Sequence, residues 1–248
     1  MISYMETHIE DACNLKCRGC SHFSVFAKPR RKDLNEFERE FRRLAEIEEI
    51  GIIRLMGGEP LINPDFMEYV RIARRHFPTS RISLVTNGIL VKRLETHTEE
   101  LQTLRVGVTM SDYHLESQDM SKCSERHDKG QMYNVSFDLS GQQNGEEAFR
   151  NCDLQINNWF FLRDGRFYPC CVAGCIRDFW EHFGLDWGID TDDLSIDIFT
   201  HTAEEIEAFL KRPTEMCRYC DTIARAKSYR PFERSRGDIS EWTRQTSV

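Results

Sequence analysis

Residues 13 to 20 read CNLKCRGC and place three cysteines, Cys13, Cys17 and Cys20, within eight positions. Thiolates this close in sequence can meet at one metal centre, and a four-coordinate centre is then one ligand short. Two chemistries suit the pattern. Zinc would take a fourth ligand such as His22. A [4Fe–4S] cluster on three thiolates would leave one iron open to chelate a small molecule. Further groups follow: Cys152; then Cys170, Cys171 and Cys175; then Cys217 and Cys220, with only Cys123 alone. Ten cysteines without a basic-then-apolar leader point to a reducing, cytoplasmic setting, where clustered thiols bind metal rather than form disulfides.

The rest of the composition narrows the class. The 248 residues suit one large domain or a main domain with an appendage, and 40% hydrophobic residues suit a globular core. A formal charge of -8 argues against nucleic acid as partner. No run of eighteen apolar residues could span a membrane.

The elements that must position the thiols alternate over the first half. METHIE (5–10) reads as a strand ending at the cysteine loop. Phe37, Phe41, Leu44 and Ile47 mark one face of a helix over 34–48, with Asp33 and Glu36 as a capping box. GIIRLM (51–56) is a strand ending at Gly57-Gly58. Asn63 caps the next helix with Pro64 in its first turn, and Pro78 ends it. RISLVTNG (81–88) and LRVGVTM (104–110) are strands joined by a helix through the 90s. A weaker helix is expected over 115–127, then a strand over 133–139. This alternation argues for parallel strands with helices outside, an α/β barrel or part of one. SGQQNGEE (140–147) reads as a linker, with a domain boundary near 145. Beyond it, NNWFFLRDGRFYPCC reads as a β-hairpin turning at Asp164-Gly165.

The cysteine loop resembles the signature of the radical S-adenosylmethionine (radical SAM) family. LMGGEP (55–60), about forty residues further on, is similar to that family's GGE motif, and TNG (86–88) to its next strand end. The resemblance implies a partial (β/α)6 TIM-like barrel over 1–145. It implies a [4Fe–4S] cluster on Cys13, Cys17 and Cys20, with the open iron chelating S-adenosyl-L-methionine. Reductive cleavage would yield a 5′-deoxyadenosyl radical. Gly57, Gly58, Glu59, Thr86, Asn87 and Ser111 would hold that ligand, Glu59 through its ammonium. Asp112, Tyr113 and His114 would face the substrate as candidate bases. One position departs from the family: Gly19 stands where an aromatic residue often meets adenine, leaving Phe23 or Phe26 as substitutes.

Residues 146–248 resemble the family's twitch extension, a shortened SPASM domain of hairpin plus helix. Cys152, Cys170, Cys217 and Cys220, at spacings of 18, 47 and 3, would hold a second, fully ligated [4Fe–4S] cluster, with a four-thiolate zinc site as the rival. Cys171 is an alternative ligand to Cys170. Length and spacing are closest to radical SAM dehydrogenases of the 2-deoxy-scyllo-inosamine type. The implied reaction oxidises an alcohol of a carbohydrate-like small molecule (aminocyclitol, sugar or nucleotide sugar) to a ketone, the second cluster accepting an electron. Arg163, Asp164 and Arg166 would anchor a polar substrate. The basic run 29–32 would contact a phosphate or a flavodoxin- or ferredoxin-type electron donor. Two alternatives stay open: an epimerase with Cys171 or Cys175 as hydrogen donor, and a peptide-modifying maturase, disfavoured because no leader-binding segment precedes the cluster strand.

Overall fold

The structure is a computed structural model that describes residues 1–129, 135–226 and 230–243. Strand β1 (Ile2–Glu10) sits between β2 (Ile50–Gly57) and a strand from the second half of the chain. Its side chains alternate between two faces. Met5 and Ile9 join Phe37, Phe41 and Leu44 in an apolar core. Tyr4, Glu6 and His8 share the other face, and Glu6 and His8 are buried there. Burying a carboxylate and an imidazole is costly unless partners meet them, so this inner face must hold polar neighbours.

Helix α1 (Leu34–Ile47) begins at Asp33, whose carboxylate accepts from the amides of Asn35 and Glu36 at 2.9 and 3.0 Å. Glu36 turns to Lys32 instead of back to the cap, so only half of the expected box forms. Helix α2 (Phe66–His76) starts after Asn63 and Pro64 rather than on them. Asn63 is buried and donates to the Ile9 carbonyl at 2.9 Å, which ties this loop to β1. Strand β3 (Arg81–Thr86), a 3-10 turn over Val91–His97, helix α3 (Thr98–Thr103) and β4 (Val106–Asp112) follow.

Two expected elements are overruled. No helix forms over 115–127; Glu125–Asp128 is strand β5, parallel to β4. ERHD has no apolar residue to mark a strand. Pairing with β4 and an Arg54–Glu125 ion pair at 2.9 Å decide it instead. The strand expected over 133–139 is also absent from its described part, where Phe137 makes only isolated bridges, to Cys220 and Thr243. Tyr133 and Asn134 lie outside the described residues. Phe137 is drawn into an aromatic cluster with Phe23 and Phe179.

The second half adds α4 (Gly145–Arg150), capped by Asn144, so the polar stretch over 140–147 is partly helical. After α5 (Asp153–Ile156) comes the hairpin β6 (Phe160–Arg163) and β7 (Arg166–Tyr168). Asp164 and Gly165 both have positive φ, 52° and 72°, the turn geometry that suits a two-residue hairpin. Helix α6 (Cys171–Phe183), β8 (Ile196–Asp197), α7 (Ala203–Leu210) and α8 (Thr222–Ala226) complete the described elements. The sheet order is β5-β4-β3-β2-β1-β6-β7-β8. β1 to β6 pair in parallel and the last two strands are antiparallel. The sheet is open, a partial barrel, and runs unbroken across residue 145 because β6 lies against β1.

One carboxylate fastens this junction. Asp11, just past β1 and 3% exposed, accepts from His8 Nδ1 at 2.8 Å, Arg30 Nε at 3.1 Å and Arg163 Nη2 at 3.0 Å. Arg30 continues to Asp164 at the hairpin turn, and Lys32 joins Asp164 to Glu40 at 3.1 and 2.7 Å. Arg166 binds Ser195 Oγ at 2.6 Å. Arg30, Lys32, Arg163 and Asp164 therefore clamp the hairpin to the segment after the cysteine loop, while Arg166 ties it to the 192–195 turn. Burial acts to raise the Asp11 pKa, but His8, Arg163 and Arg30 outweigh it and hold it well below the carboxylate range. This contribution to stability is complete above about pH 4 and lost as pH falls below it. Asp11→Asn leaves two guanidinium groups without their shared anion. It should cost about 3–5 kcal/mol and lower Tm by roughly 6–20 °C. A thermal melt at neutral pH that shifts by less than about 2 °C would show that the junction does not depend on Asp11.

Candidate functional site

Cys13, Cys17 and Cys20 line one cavity at the C-terminal ends of β2, β3 and β4. Gly57, Gly58, Thr86, Asn87, Ser111, Tyr113 and His22 line it too. Backbone contacts hold the loop from both sides. The amides of Gly58 and Glu59 donate to the Glu10 and Ala12 carbonyls at 2.8 Å each, and the Trp242 indole donates to the Cys20 carbonyl at 3.0 Å. Burial pushes the Cys13 thiol up to about 12, and raises Cys17 and Cys20 as well; for Cys13 and Cys17 the neighbouring thiols add to it. Three soft donors that resist ionising together form a donor set that a bound cation would relieve, and iron–sulfur or zinc chemistry fits it.

The two glycines serve the backbone first. A Cβ on Gly57 would lie 1.9 Å from the Glu10 carbonyl oxygen, and one on Gly58 2.3 Å from that of Ala12. Only glycine lets β2 pass so close to the chain entering the cysteine loop. Glu59 is placed differently from expectation. Its carboxylate is not among the groups lining the cavity; it accepts from Thr86 Oγ1 at 2.6 Å, the Asn87 amide at 2.8 Å and the Leu61 amide at 3.0 Å. Burial, opposed by these bonds, pushes it up to about 7. It braces the end of β3, and Asn87 carries that brace to the loop by donating to Asn14 Oδ1 at 2.7 Å. Gln118, which sequence reasoning passed over, donates to the carbonyls of Asn87 and Ser111 at 2.6 and 2.7 Å and joins the two strand ends.

Gly19 has φ 66°, so backbone conformation accounts for glycine there. Neither expected aromatic substitute reaches the cavity. Phe23 is fully buried against Phe137 and Phe179, and Phe26 stacks on His182 and packs on Trp242. Of the three candidate bases only Tyr113 lines the cavity. Asp112 is paired with Arg126 at 2.5 Å and accepts from the His114 amide, and His114 is half exposed against Asp128 at 2.9 Å. Neither is placed as a base toward the thiols.

A second cavity is lined by Cys152, Cys170, Cys217 and Cys220, with Arg225 beside them. Cys170 caps α6, and Cys171, the next residue, is not among the groups lining that cavity. Burial, reinforced by Cys152 and Cys217, pushes Cys170 up to about 12; Cys217 and Cys220 are raised too. Arg225 donates to Cys152 Sγ at 3.7 Å and pairs with Asp153 at 3.1 Å. Four thiols in one small space match a closed metal centre.

Cys171 and Cys175, one helical turn apart, face the polar side of β1 instead. Cys175 Sγ accepts from Arg163 at 3.3 Å. Cys171 lies with Glu6 and His22, and His22 is bonded to His8 at 2.9 Å. Burial raises Glu6 to about 7 and lowers His8. The signal for this group was present in ISYMETHIE, where Tyr4, Glu6 and His8 alternate along a strand whose other face is core.

Comparison with known proteins places these features. Residues 9–117 match the model of the Radical SAM superfamily, a span that takes in the cysteine loop, Gly57–Glu59, Thr86–Asn87 and Ser111. Over that span the chain is similar to a Radical SAM domain. GTP 3′,8-cyclase of Nautilia profundicola is 30% identical over 111 residues, covering 44% of this chain and 35% of that enzyme. The enzyme of the same name from Moorella thermoacetica is 32% identical over 111 residues, covering 44% and 34%. The chain thus spans about a third of the length of these curated relatives. The crystal structure of BtrN in complex with AdoMet and 2-DOIA superposes with a TM-score of 0.57 at 16% identity, covering 89% of this chain and 93% of that one. An open conformation of BtrN gives 0.54 at 16% identity, covering 94% and 96%. The fold is therefore shared over nearly the whole of both chains.

Gly58→Ala tests the close approach directly. The methyl group cannot enter without moving the Asp11–Ala12 backbone, so the variant should lose about 1–3 kcal/mol. An unchanged thermal midpoint would overturn the stated contact.

Proposed function

We propose that the chain is a radical SAM enzyme that oxidises an alcohol carbon of a carbohydrate-like small molecule to a ketone. Cys13, Cys17 and Cys20 would hold a [4Fe–4S] cluster with one iron open to S-adenosylmethionine. Cys152, Cys170, Cys217 and Cys220 would hold a second, closed [4Fe–4S] cluster, with residues 146–248 as a twitch-type extension. The observation that carries the reading is the partition of seven thiols between a three-thiol and a four-thiol cavity. When bound, these groups supply a 5′-deoxyadenosyl radical and an electron acceptor.

The chain's own residues prepare the place. Gly57 and Gly58 leave one wall of the cavity without side chains, so a polar ligand can reach backbone groups. Glu59 fixes Thr86 and Asn87 at the wall, and Tyr113 and Ser111 add hydroxyls. Support for a carbohydrate-like substrate comes from the fold shared with BtrN, whose crystal structure holds AdoMet and 2-DOIA. A flavodoxin- or ferredoxin-type protein would supply electrons in the cytoplasm. Among the described residues no helix is long and apolar enough to cross a membrane.

Anaerobic reconstitution should load about eight irons per chain, and dithionite with S-adenosylmethionine should release 5′-deoxyadenosine. Cys13→Ala should keep about four irons and release none. The double change Cys217→Ala with Cys220→Ala should also keep about four, yet still release it. If Cys13→Ala matches the wild type, the reading fails. Zinc in place of half the iron would refute the second cluster. Given a substrate, ketone equal to deoxyadenosine supports oxidation, whereas inverted product carrying deuterium from D2O assigns an epimerase instead.

A further inference from the structure

Three ligand-type side chains outside both groups of clustered thiols meet on the inner face of the sheet, one of them, His22, at the edge of the first cavity. Glu6 on β1, His22 just past the cysteine loop and Cys171 in the first turn of α6 bring an oxygen, a nitrogen and a sulfur within 4.8 Å of one another. Glu6 and Cys171 are buried. Hydrogen bonds fix which imidazole nitrogen is free. The Asp11 carboxylate only accepts, so His8 Nδ1 carries the proton of their 2.8 Å bond. His8 Nε2 and His22 Nδ1 share the next bond, 2.9 Å long, so Nδ1 of His22 is taken up by His8. His22 Nε2 stays outside that bond, 3.9 Å from Glu6 Oε2. The other Glu6 oxygen accepts from the Tyr4 hydroxyl at 2.7 Å.

We propose that Glu6, His22 and Cys171 hold a single divalent transition-metal ion, zinc by ligand type, with a fourth position open toward the cavity that His22 also lines. Imidazole, thiolate and carboxylate at three positions with one left open is the donor pattern of a reactive rather than a structural zinc site. Bonds of about 2.0–2.3 Å draw ligand atoms to about 3.3–3.6 Å of each other, so closure needs shifts of about 1 Å. Two anionic ligands balance a dication, which removes the charge that burial penalises. Outer partners are in place for two ligands: Tyr4 on Glu6, and the Asp11–His8 pair on His22, the arrangement that orients a metal-bound imidazole. The open position fits a water or hydroxyl oxygen, whose proton a metal makes easier to lose. A Cys171 so engaged would not be free as a hydrogen donor. The site stands independently of the iron–sulfur reading, because zinc and deoxyadenosine are measured separately.

The test uses cluster-reconstituted protein, stripped with dipicolinate, equilibrated with Zn2+ and desalted. Elemental analysis should find about one zinc per chain, and absorption at the zinc edge, distinct from iron, should show one sulfur among nitrogen and oxygen neighbours. Cys171→Ala and Glu6→Gln should each weaken zinc binding at least about tenfold, and His8→Gln by about 10–100-fold through its outer role. Cys123→Ser should change nothing. If Cys171→Ala does not fold, His8→Gln decides. Three or four sulfurs around zinc would put the ion in a thiol cavity and overturn the proposal. So would absence of zinc, or equal retention by the wild type and by whichever of Cys171→Ala and His8→Gln folds.

Discussion

The arrangement hangs on one shared anion. Asp11 meets an imidazole from its own strand, a guanidinium from the far end of the cysteine loop and another from the hairpin. Each charge alone would be costly at that depth; together they satisfy one another. The consequence is directional. Arg163 positions β6, the hairpin leads through β7 into α6, and the start of α6 carries Cys170 at its cap and Cys171 in its first turn. His8 in turn holds the His22 ring at Nδ1. Both thiol cavities and the polar inner face are therefore registered to a side chain that touches none of the thiol ligand sets.

Helix α6 divides the chemistry of the second half. Adjacent residues on a helix point about 100° apart. Cys170, the extended N-cap before the first turn, joins Cys152, Cys217 and Cys220, whereas Cys171 and Cys175, four apart within the helix, share the face toward β1. Gly174 lets this helix lie close on the sheet, since a Cβ there would meet the Phe161 ring at 2.2 Å. That close packing brings an N-terminal strand and a C-terminal helix into one polar space.

Much of this was legible in the residues. The thiol groups, the glycine pair, the Asp164-Gly165 turn and the strands β1 to β4 all follow from local pattern, because spacing and periodicity are local properties. What failed was decided at long range. ERHD became a strand through Arg54 and the β4 edge, and Phe137 left its expected strand for an aromatic cluster. The partners of Glu59 were equally hidden, because motif position says nothing about which way a side chain turns. Its three hydrogen bonds to neighbours of β3 show that it turns inward. The pairings of Asp112 and His114 were out of reach for the same reason, since their partners Arg126 and Asp128 lie on a strand that periodicity did not reveal. The polar face of β1 was visible as alternation, but its meaning needed His22 and α6 beside it.

The placement of β6 against β1 has a consequence in time. The strand made first is interior to the sheet, and one of its neighbours is encoded from residue 160 onward. A ribosome adding about 5–20 residues each second takes roughly 7–30 s to travel from the cysteine loop to that neighbour. Throughout that interval Asp11 lacks Arg163, and the Cys13–Cys20 segment has no completed wall behind it. The wall behind the thiol loop is thus completed late in biosynthesis, after the hairpin has docked.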